Sequence, residues 1–470
     1  MVEVEWYRLY RESVVNFQSR LPESGGVAVA YNTNIDGIID LDSERIQRFL
    51  ESQPEVANDA YDRKDSPPGR VDGPVDFVAG LMHFVERGSG GEYMVHDEDT
   101  YDWIVSNLPI DAHRMGGNAG IMANALSMLG ARFVIPHAVQ MPEAQARLFL
   151  DRENVLLPVK EDGGVAFRSP STASRPEREL VHLILEYKEG TSFTWRGSTM
   201  ASPRNNRYIV NADDYNGRIV IDPSFVGGID QKIGEIDKFI LTGLHMLKRE
   251  YPDGATYLDR LEEALGLVRG WRSRNPDMRV HFELADIQDE VIRKDVLKMA
   301  CEVSDSVGMN EDELETALGT GELLSSRPER LVEGMGDFMS RGGIRKLLLH
   351  SKDFVVSLIT DDYPAGPDVI RGSNMVGTLC SQYRAFCGNF GGQAELLELV
   401  DSRSLKASSE GLEMLGRFEG AFGAGRGPGI WENREGGWII LTPTLLSVKT
   451  LNTVGLGDCL TAGTVLSEIA

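Results

Sequence analysis

The chain has 470 residues, of which 41 % are hydrophobic, so it can bury a core large enough for two domains. Acidic side chains outnumber basic ones by 72 to 48, which gives a formal net charge of −24. A field of this sign repels nucleic-acid phosphates and anionic lipid, so the composition argues against nucleic-acid or membrane binding.

The cysteines and the first residues bear on the cellular compartment. The four cysteines (Cys301, Cys380, Cys387 and Cys459) are sparse and lack CxxC spacing, which argues against a disulfide framework or a zinc site. Charged and apolar residues alternate over the first twenty positions, which predicts an amphipathic helix rather than a signal peptide. No run approaches the 18 apolar residues of a membrane span. We therefore expect a soluble cytoplasmic protein.

Short apolar runs alternate with helical patterns along most of the chain, as in an α/β sheet with crossover helices. Helical periodicity is clear over Asn118–Leu129 and Ala255–Arg272. The strand candidates, in chain order, are Val27–Tyr31, Phe133–Val139, Phe239–Gly243, Arg279–Ala285, Lys346–His350, Phe354–Ile359 and Trp438–Leu441.

Two regions interrupt this alternation. Residues 40–112 are charged and contain the loop-like stretches DSPPGRVDGP and ERGSGGEYMV, and residues 150–212 contain short strand patterns such as Val181–Tyr187 and Ser192–Trp195. Because both regions interrupt the same core, we infer that they fold together as a lid. The predicted boundaries are 1–36, 113–149 and 208–470 for the core, and 37–112 and 150–207 for the lid.

The strongest local signal is Asn452-Thr-Val-Gly-Leu-Gly-Asp458 before the last helical pattern. Gly455 and Gly457 let the backbone approach a phosphate, and the free N–H groups at a helix start bind anions. Asp458 can accept a proton from an attacking hydroxyl group. The alternative is a glycine turn with Asp458 as an ordinary helix cap. No P-loop occurs, and no GxGxxG follows the first strand, which argues against P-loop kinases and Rossmann dehydrogenases.

Further motifs occur in a fixed order with this one. Asn32-Thr-Asn34-Ile-Asp36 ends the first strand, and Arg114-Met-Gly-Gly-Asn-Ala-Gly120 opens a helix. His281-Phe-Glu283 and Asn310-Glu-Asp-Glu313 resemble HxE and NxxE motifs. Together with the glycine turn, they resemble the ADP-dependent glucokinase/phosphofructokinase family of the ribokinase-like superfamily, from about residue 27 to the end of the chain.

The resemblance implies a fold and an activity. The fold is a ribokinase-like α/β large domain, with a central mostly parallel sheet flanked by helices, and a smaller α/β lid domain. The activity is transfer of the β-phosphoryl group of ADP to glucose and/or fructose 6-phosphate. Asp458 would act as the base, assisted by Gly455 and Gly457. The preference for ADP comes from the resemblance alone.

The resemblance also implies a ligand set. His350 and Val454 would line the nucleotide together with the two turn glycines. Mg²⁺ would be positioned, largely through water, by Glu283, Glu313, Asn310 and Asp458, and these residue types suit an ion that keeps several waters. The alternatives are a strand-end charge for Glu283 and a helix capping box for Asn310 and Glu313. The sugar contacts would be Asn34, Asp36, Glu92, Gly116, Gly117, His182 and Arg207.

The identity of the sugar stays open at this stage. Glu92 matches a lid position that carries Glu in glucose-phosphorylating members, and His182 matches a lid His of glucokinases. Phosphofructokinases carry a Lys on this strand, where the present chain has Leu180. Arg207, or else Arg204, Arg175 or Arg178, could instead bind a sugar phosphate, with surface ion pairing as the alternative role.

Two other functions compete with this one. One is an ATP-dependent ribokinase-like kinase for another sugar or a nucleoside. The other is a non-catalytic sensor that binds a sugar or a nucleotide. The presence of Asp458, Glu283 and Glu313 argues against the sensor, because binding alone needs neither a base nor metal carboxylates.

Overall fold

The computed structural model describes residues 2–319, 327–390, 393–402 and 404–469. The strands, numbered along the chain, are β1 Gly26–Ala30, β2 Asn34–Leu41, β3 Gly91–Met94, β4 Ala112–Gly116, β5 Val134–Pro136, β6 Leu157–Glu161, β7 Gly164–Arg168, β8 Val181–Tyr187, β9 Ser192–Trp195, β10 Ser198–Ala201, β11 Asn206–Asn211, β12 Ile236–Leu241, β13 Arg279–Glu283, β14 Ser306–Asn310, β15 Lys346–His350, β16 Phe354–Ile359, β17 Leu405–Ala407, β18 Ile430–Glu432, β19 Trp438–Pro443 and β20 Leu445–Ser447.

Helices connect most of these strands, and several begin at side-chain caps, such as the Thr256–Asp259 capping box. The helices are α1 Val2–Arg20, α2 Ser43–Ser52, α3 Pro54–Tyr61, α4 Pro74–Arg87, α5 Glu98–Asn107, α6 Asn118–Met128, α7 Glu143–Ala146, α8 Asp214–Gly217, α9 Pro223–Lys232, α10 Tyr257–Arg274, α11 Glu290–Val303, α12 Glu311–Leu318, α13 Pro328–Gly342, α14 Pro367–Cys387, α15 Gln393–Asp401, α16 Ser409–Phe422 and α17 Leu456–Ser467.

Nine strands form the large sheet, in the order β18-β19-β16-β15-β14-β13-β12-β1-β5. The pairings from β5 through β1, β12, β13 and β14 to β15 are parallel, and the remaining three are antiparallel. Helices pack around this sheet, so its central strands are buried and read as nearly continuous apolar runs. The predicted large α/β domain with a mostly parallel sheet is therefore confirmed.

Five strands form a separate small sheet, in the order β3-β11-β8-β2-β4. Its apolar side chains alternate with polar ones, as they do in a sheet with only one face in a core. Leu183 and Leu185 of β8 and Tyr208 and Val210 of β11 point into a second hydrophobic core, which is shared with α4.

The structure moves the predicted boundaries between core and lid. The sequence predicts residues 34–36, 113–116 and 208–211 in the core, but they belong to strands of the small sheet. Within 150–207, the β6–β7 hairpin packs on the large core instead of the lid, because Gly227 and Gly228 of α9 leave room for its apolar face.

Several predicted elements coincide with the observed ones. β8, β9, β15 and β16 have the predicted bounds, and α1 covers the predicted first helix. Residues 40–112 contain four helices, whereas the sequence there gave mainly loop signals. In the described part of the chain, no helix is long and apolar enough to cross a membrane.

Candidate active site

The predicted metal and nucleotide residues gather at one edge of the large sheet. Glu283, Asn310 and His350 are the last residues of the parallel neighbours β13, β14 and β15, and Asn310 pairs with His350 in register. In open α/β sheets, ligands bind outside the carboxyl ends of the strands. The start of α17 lies at the same edge, since a Cβ atom placed on Gly457 would be 3.3 Å from Cε1 of His350.

The glycine turn opens α17 as the sequence predicts. Gly455 is the N-cap, with a φ angle of +68°, and a Cβ atom there would lie 2.6 Å from Ile121. Only glycine meets both conditions without strain. The first N–H groups of α17 have no carbonyl partner inside the helix, so they can bind phosphoryl oxygens.

Asp458 sits in the first turn of α17, where Nδ2 of Asn118 donates a hydrogen bond of 2.8 Å to its Oδ1. The hydrogen bond from Asn118 lowers the pKa of Asp458, but burial has the larger effect and raises this pKa to about 6. A carboxylate with such a pKa is suited to accept a proton near neutral pH. Asn118 belongs to a predicted motif, but the sequence alone did not show that it orients the base.

The Asn34–Asp36 motif and the Gly116–Gly117 pair meet across β2 and β4. Asn34 pairs with Gly116 in register, and its side chain donates a hydrogen bond of 2.9 Å to Oδ1 of Asp36. A Cβ atom on Gly116 would lie 2.0 Å from that same oxygen. Gly117 has a φ angle of +72° and lies against the carbonyl of Asn32. The two glycines therefore allow α6 to begin directly beside this polar pair.

The open face of the small sheet brings three predicted sugar residues together. Asp36 pairs with His182 in register, and Nδ1 of His182 is 3.5 Å from Oε1 of Glu92. Nε2 of His182 lies 2.9 Å from Oδ2 of Asp213, and Asn211 donates a hydrogen bond of 2.7 Å to Glu92. Burial alone would lower the pKa of His182, but the carboxylates of Asp213, Glu92 and Asp36 together outweigh burial and raise that pKa.

Arg207 lies near this cluster with a free guanidinium group. It is half-buried on β11, and its charge lowers the pKa of Asp36, which burial otherwise raises. Within the described residues, no carboxylate pairs with its guanidinium.

The other three candidate arginines are engaged elsewhere. Nη1 of Arg175 is 2.9 Å from Asp222, and Nη1 of Arg178 is 3.1 Å from Glu98. Nε of Arg204 donates a hydrogen bond of 2.7 Å to a backbone carbonyl. Arg207 is therefore the best placed of the four to bind an anion.

Glu283 is held between two histidines. Its Oε1 is 2.8 Å from Nε2 of His350, and its Oε2 is 3.3 Å from Nε2 of His281. Burial alone would raise the pKa of Glu283, but the two imidazoles outweigh burial and hold it at about 2. A Cβ atom on Gly308 would fall 1.9 Å from Oε2, so the adjacent strand needs glycine there. His350, predicted to line the nucleotide, thus contacts Glu283, and its contact with the nucleotide stays a prediction.

Asn310 and Glu313 form the capping box that was the alternative interpretation of this motif. Each side chain accepts a hydrogen bond of 2.9 Å from the other residue's backbone N–H. Burial raises the pKa of Glu313 to about 8. The nearby carboxylate of Glu283 raises this pKa further. A cation bound beside Glu313 would stabilise its charged form.

A magnesium ion held through water fits these residues better than a direct ligand cage. No three His, Cys, Asp or Glu side chains converge on a metal position in the part of the chain that the structure describes. Both oxygens of Glu283 face imidazoles, and the capping box occupies only one oxygen of Glu313. Mg²⁺ commonly takes one or two carboxylates together with waters and substrate phosphates.

Helix α14, which contains none of the predicted motifs, supports the glycine turn. Nε of Arg384 donates a hydrogen bond of 3.2 Å to the carbonyl of Val454, and its guanidinium stacks 4.3 Å from the ring centre of Phe390. The N–H of Leu451 donates to the carbonyl of Ala385. Arg384 is buried, so its charge lies close to the turn without being exposed to solvent. It is one basic residue among 48 in the sequence, and only the fold singles it out.

Comparison with known proteins bears on this arrangement. The sequence profile described as "ADP-specific Phosphofructokinase/Glucokinase conserved region" matches residues 25–467. An ADP-specific phosphofructokinase from Methanosarcina acetivorans is 30 % identical over 99 % of this chain and 97 % of its own length. An ADP-dependent glucose/glucosamine kinase from Pyrococcus abyssi is 27 % identical over 99 % of both chains.

Solved structures agree with these sequence matches. The last common ancestor of ADP-dependent phosphofructokinases from Methanosarcinales superposes with a TM-score of 0.83 at 29 % identity, over 99 % of this chain and 98 % of the other. An ADP-dependent kinase in complex with fructose-6-phosphate and ADPβS gives 0.83 at 28 % identity, over 98 % and 97 %. The match extends over nearly all of the chain in sequence and in structure. The chain therefore belongs to the ADP-specific phosphofructokinase/glucokinase family.

Proposed function

We propose that the protein transfers the β-phosphoryl group of ADP to fructose 6-phosphate, with glucose as a second acceptor. The observation that carries the choice of sugar is the free guanidinium group of Arg207 on the open face of the small sheet. The chain has 72 acidic residues that could pair with arginines, yet no described carboxylate pairs with the half-buried guanidinium of Arg207. This guanidinium is therefore available to bind an anionic ligand. A guanidinium group binds a phosphate through two parallel hydrogen bonds.

The relatives support this choice. The Methanosarcina acetivorans protein is a phosphofructokinase, and one solved kinase of the same fold holds fructose-6-phosphate and an ADP analogue. Family membership also favours ADP over ATP as the phosphoryl donor, which the chemistry of the motifs alone left open.

The residues at the edge of the large sheet supply the chemistry of transfer. Asp458 takes the proton of the attacking hydroxyl group, and Asn118 keeps its carboxylate oriented. The free N–H groups at the start of α17 stabilise the charge on the phosphoryl group in transit. Asn34 and Asp36 bind sugar hydroxyls, since their side chains lie beside Gly116, just before the start of α6. In this proposal His350 and Val454 line the nucleotide.

Magnesium is part of the proposal. Glu313 would hold the ion through water, with Asn310 and Asp458 nearby and Glu283 fixed in its charged form by the two histidines. When bound, Mg²⁺ neutralises the phosphates of ADP. The raised pKa of the buried Glu313 supports a cation next to it.

Glucose is the second acceptor because of Glu92. Its carboxylate, fixed by Asn211 and close to His182, can accept hydrogen bonds from sugar hydroxyls but gains nothing from a sugar phosphate. Its side chain is 28 % exposed, so a sugar can reach it.

A coupled assay that crosses ADP and ATP with fructose 6-phosphate and glucose tests the function. We expect the highest kcat/KM for ADP with fructose 6-phosphate. Arg207→Gln should raise KM for fructose 6-phosphate roughly 10- to 150-fold, since a charge-assisted hydrogen bond is lost, and leave KM for glucose nearly unchanged. Arg178→Gln, at a paired and exposed arginine, is the matched control.

Three results of these assays would contradict the proposal. Turnover with ATP but not with ADP would make the protein an ATP-dependent kinase. Binding of either sugar without turnover would make it a sensor. Equal losses on both sugars in Arg207→Gln would show that Arg207 supports the small sheet and binds no sugar phosphate.

A further inference from the structure

His245 lies where the large sheet meets the small one. The β1–β12 ladder continues past both strands, with Tyr31 donating to the carbonyl of Thr242, and the chain then turns at Gly243. A Cβ atom on Gly243 would be 2.5 Å from the carbonyl oxygen of Tyr31, so the turn crosses directly over the end of β1. The turn also lies against Asn32, from which the chain leads into the small sheet, and His245 follows the turn two residues later.

The turn also reaches the end of β3. A Cβ atom on Gly217 would lie 3.7 Å from the carbonyl of Met246 and 3.9 Å from Cε of Met94, the last residue of β3. Residues 245–246 therefore pass next to the strand that carries Glu92, although they belong to the chain leaving the large sheet.

The imidazole of His245 has no protein partner there. Its Nδ1 atom is buried and makes no hydrogen bond, and in the described stretches of the chain no partner occurs for Nε2 either. A buried polar atom left without a partner is costly, and native structures rarely keep one without a use. Leu244, the preceding residue, is buried in the large core, so the turn itself is firmly anchored.

Three charged or titratable groups face this imidazole. Glu92 and His182 belong to the small sheet, and Asp286 follows β13 of the large sheet. Burial lowers the pKa of His245 more than the two carboxylates raise it, so the ring is neutral at neutral pH. A neutral imidazole offers one donor and one acceptor. The two carboxylates disfavour a phosphate at this point, whereas a hydroxyl group suits all of these groups.

We propose that His245 is a further substrate-binding residue, which hydrogen-bonds a ring hydroxyl of the hexose held between the two sheets. This inference rests on the proposed function and extends it. The same hydroxyl-bearing side of the sugar would lie towards Glu92 and His182, and the 6-phosphate would lie at Arg207. His245 would thus give the large sheet its own contact with the sugar, in addition to those made by the small sheet.

Substitutions of His245 distinguish a hydrogen-bonding role of its imidazole from a packing role. His245→Phe keeps the ring and loses both nitrogens, and His245→Asn keeps polar atoms close to the Nδ1 position. We expect His245→Phe and His245→Ala to raise KM for fructose 6-phosphate roughly 5- to 100-fold and to leave KM for ADP within about twofold. His245→Asn should recover part of the loss. His96→Ala, at an exposed histidine after β3, is the control. A wild-type KM in His245→Phe overturns the inference.

Monodeoxy analogues of fructose 6-phosphate identify the contact. With the wild type, one analogue should bind much more weakly than the parent sugar, and with His245→Phe that analogue and the parent should bind alike, because the bond is already lost. If every analogue shows the same loss in both proteins, His245 contacts no hydroxyl.

Calorimetric binding of fructose 6-phosphate without ADP keeps the two proposals apart. Normal wild-type turnover with unchanged binding to His245→Phe overturns only the role of His245. If the wild type shows no turnover but binds the sugar, and His245→Phe binds it more weakly, only the kinase function is overturned. A wild-type protein that binds no sugar overturns both.

Discussion

Asp458 illustrates how neighbouring residues give a common side chain a particular chemistry. It lies in the first turn of α17, but it is not the N-cap, which is Gly455. The hydrogen bond from Asn118 fixes one carboxylate oxygen and leaves the other for a substrate proton. The helix-cap alternative therefore does not describe its position.

Replacing Asp458 by Asn should lower kcat by about 10²- to 10⁴-fold, because a positioned general base is lost while shape and volume are kept. Steady-state kinetics with ADP and fructose 6-phosphate should show KM values close to those of the wild type. Asp312→Asn, at an exposed position in the first turn of α12, is the control and should keep full activity. A variant with more than a tenth of the wild-type kcat would falsify the role of Asp458 as base.

Glu313 allows the metal role to be tested apart from the capping role. Glutamine is also a good third residue of a capping box, so Glu313→Gln keeps the hydrogen bond from the N–H of Asn310 and removes only the charge. We expect the Mg²⁺ concentration for half-maximal rate to rise about 10- to 100-fold, with an unchanged melting temperature. Glu290→Gln, in the first turn of α11, is the control. If the Mg²⁺ dependence of the rate is unchanged in Glu313→Gln, Glu313 has only the helix-capping role.

At the scale of elements, the catalytic turn depends on the packing of two helices. α14 and α17 cross at Gly377 and Gly463, and a Cβ atom on Gly377 would be 2.4 Å from the carbonyl oxygen of Leu460. This close approach lets the last turn of α14 reach the segment before the glycine turn, where Arg384 holds Val454. The helix that carries the base is thus fixed along its length as well as at its start.

Gly377→Ala should lower the free energy of unfolding by about 1–3 kcal/mol, since backbone atoms must move to admit a methyl group. Gly372→Ala, on the same helix with its nearest neighbour 3.5 Å away, should be neutral or stabilising by up to about 1 kcal/mol. Denaturant titration of the two variants gives the comparison. Equal stability of the two would mean that α17 can shift away from α14 at no cost.

At the scale of the whole molecule, the site is divided between two sheets. The chain crosses between them near residues 31–33, 117, 174–180 and 212–213, according to where the strands and helices end. The base and the turn lie with the large sheet, whereas Glu92, His182 and Arg207 lie with the small one. A sugar bound between them would contact both parts, so we expect the sheets to close on it.

Solution scattering should therefore show a smaller radius of gyration with saturating fructose 6-phosphate and an ADP analogue than without ligands. Each ligand alone is the informative control, since a sugar that bridges the sheets should give part of the change by itself. Superimposable profiles in all four conditions would mean that the cleft is rigid.

The sequence by itself determined the motifs and the class of fold. Apolar runs of strand length separated by helical periodicity predicted the large sheet, and β15, β16 and β8 even had the observed bounds. The glycine turn and the NxD and HxE motifs are local in sequence. Their backbone demands can therefore be read from residue types alone, as with the positive φ angles of Gly117 and Gly455.

Only the tertiary structure decided the contacts between distant residues. Strand register brought His182 to Asp36. Among the described residues Arg207 has no carboxylate partner, which distinguished it from the three other candidate arginines. The β6–β7 hairpin packed on the large core because two glycines of α9 made room for it, which no pattern within 150–207 records. His245 and Arg384 carry no local signal, because their surroundings come from segments that meet only after folding.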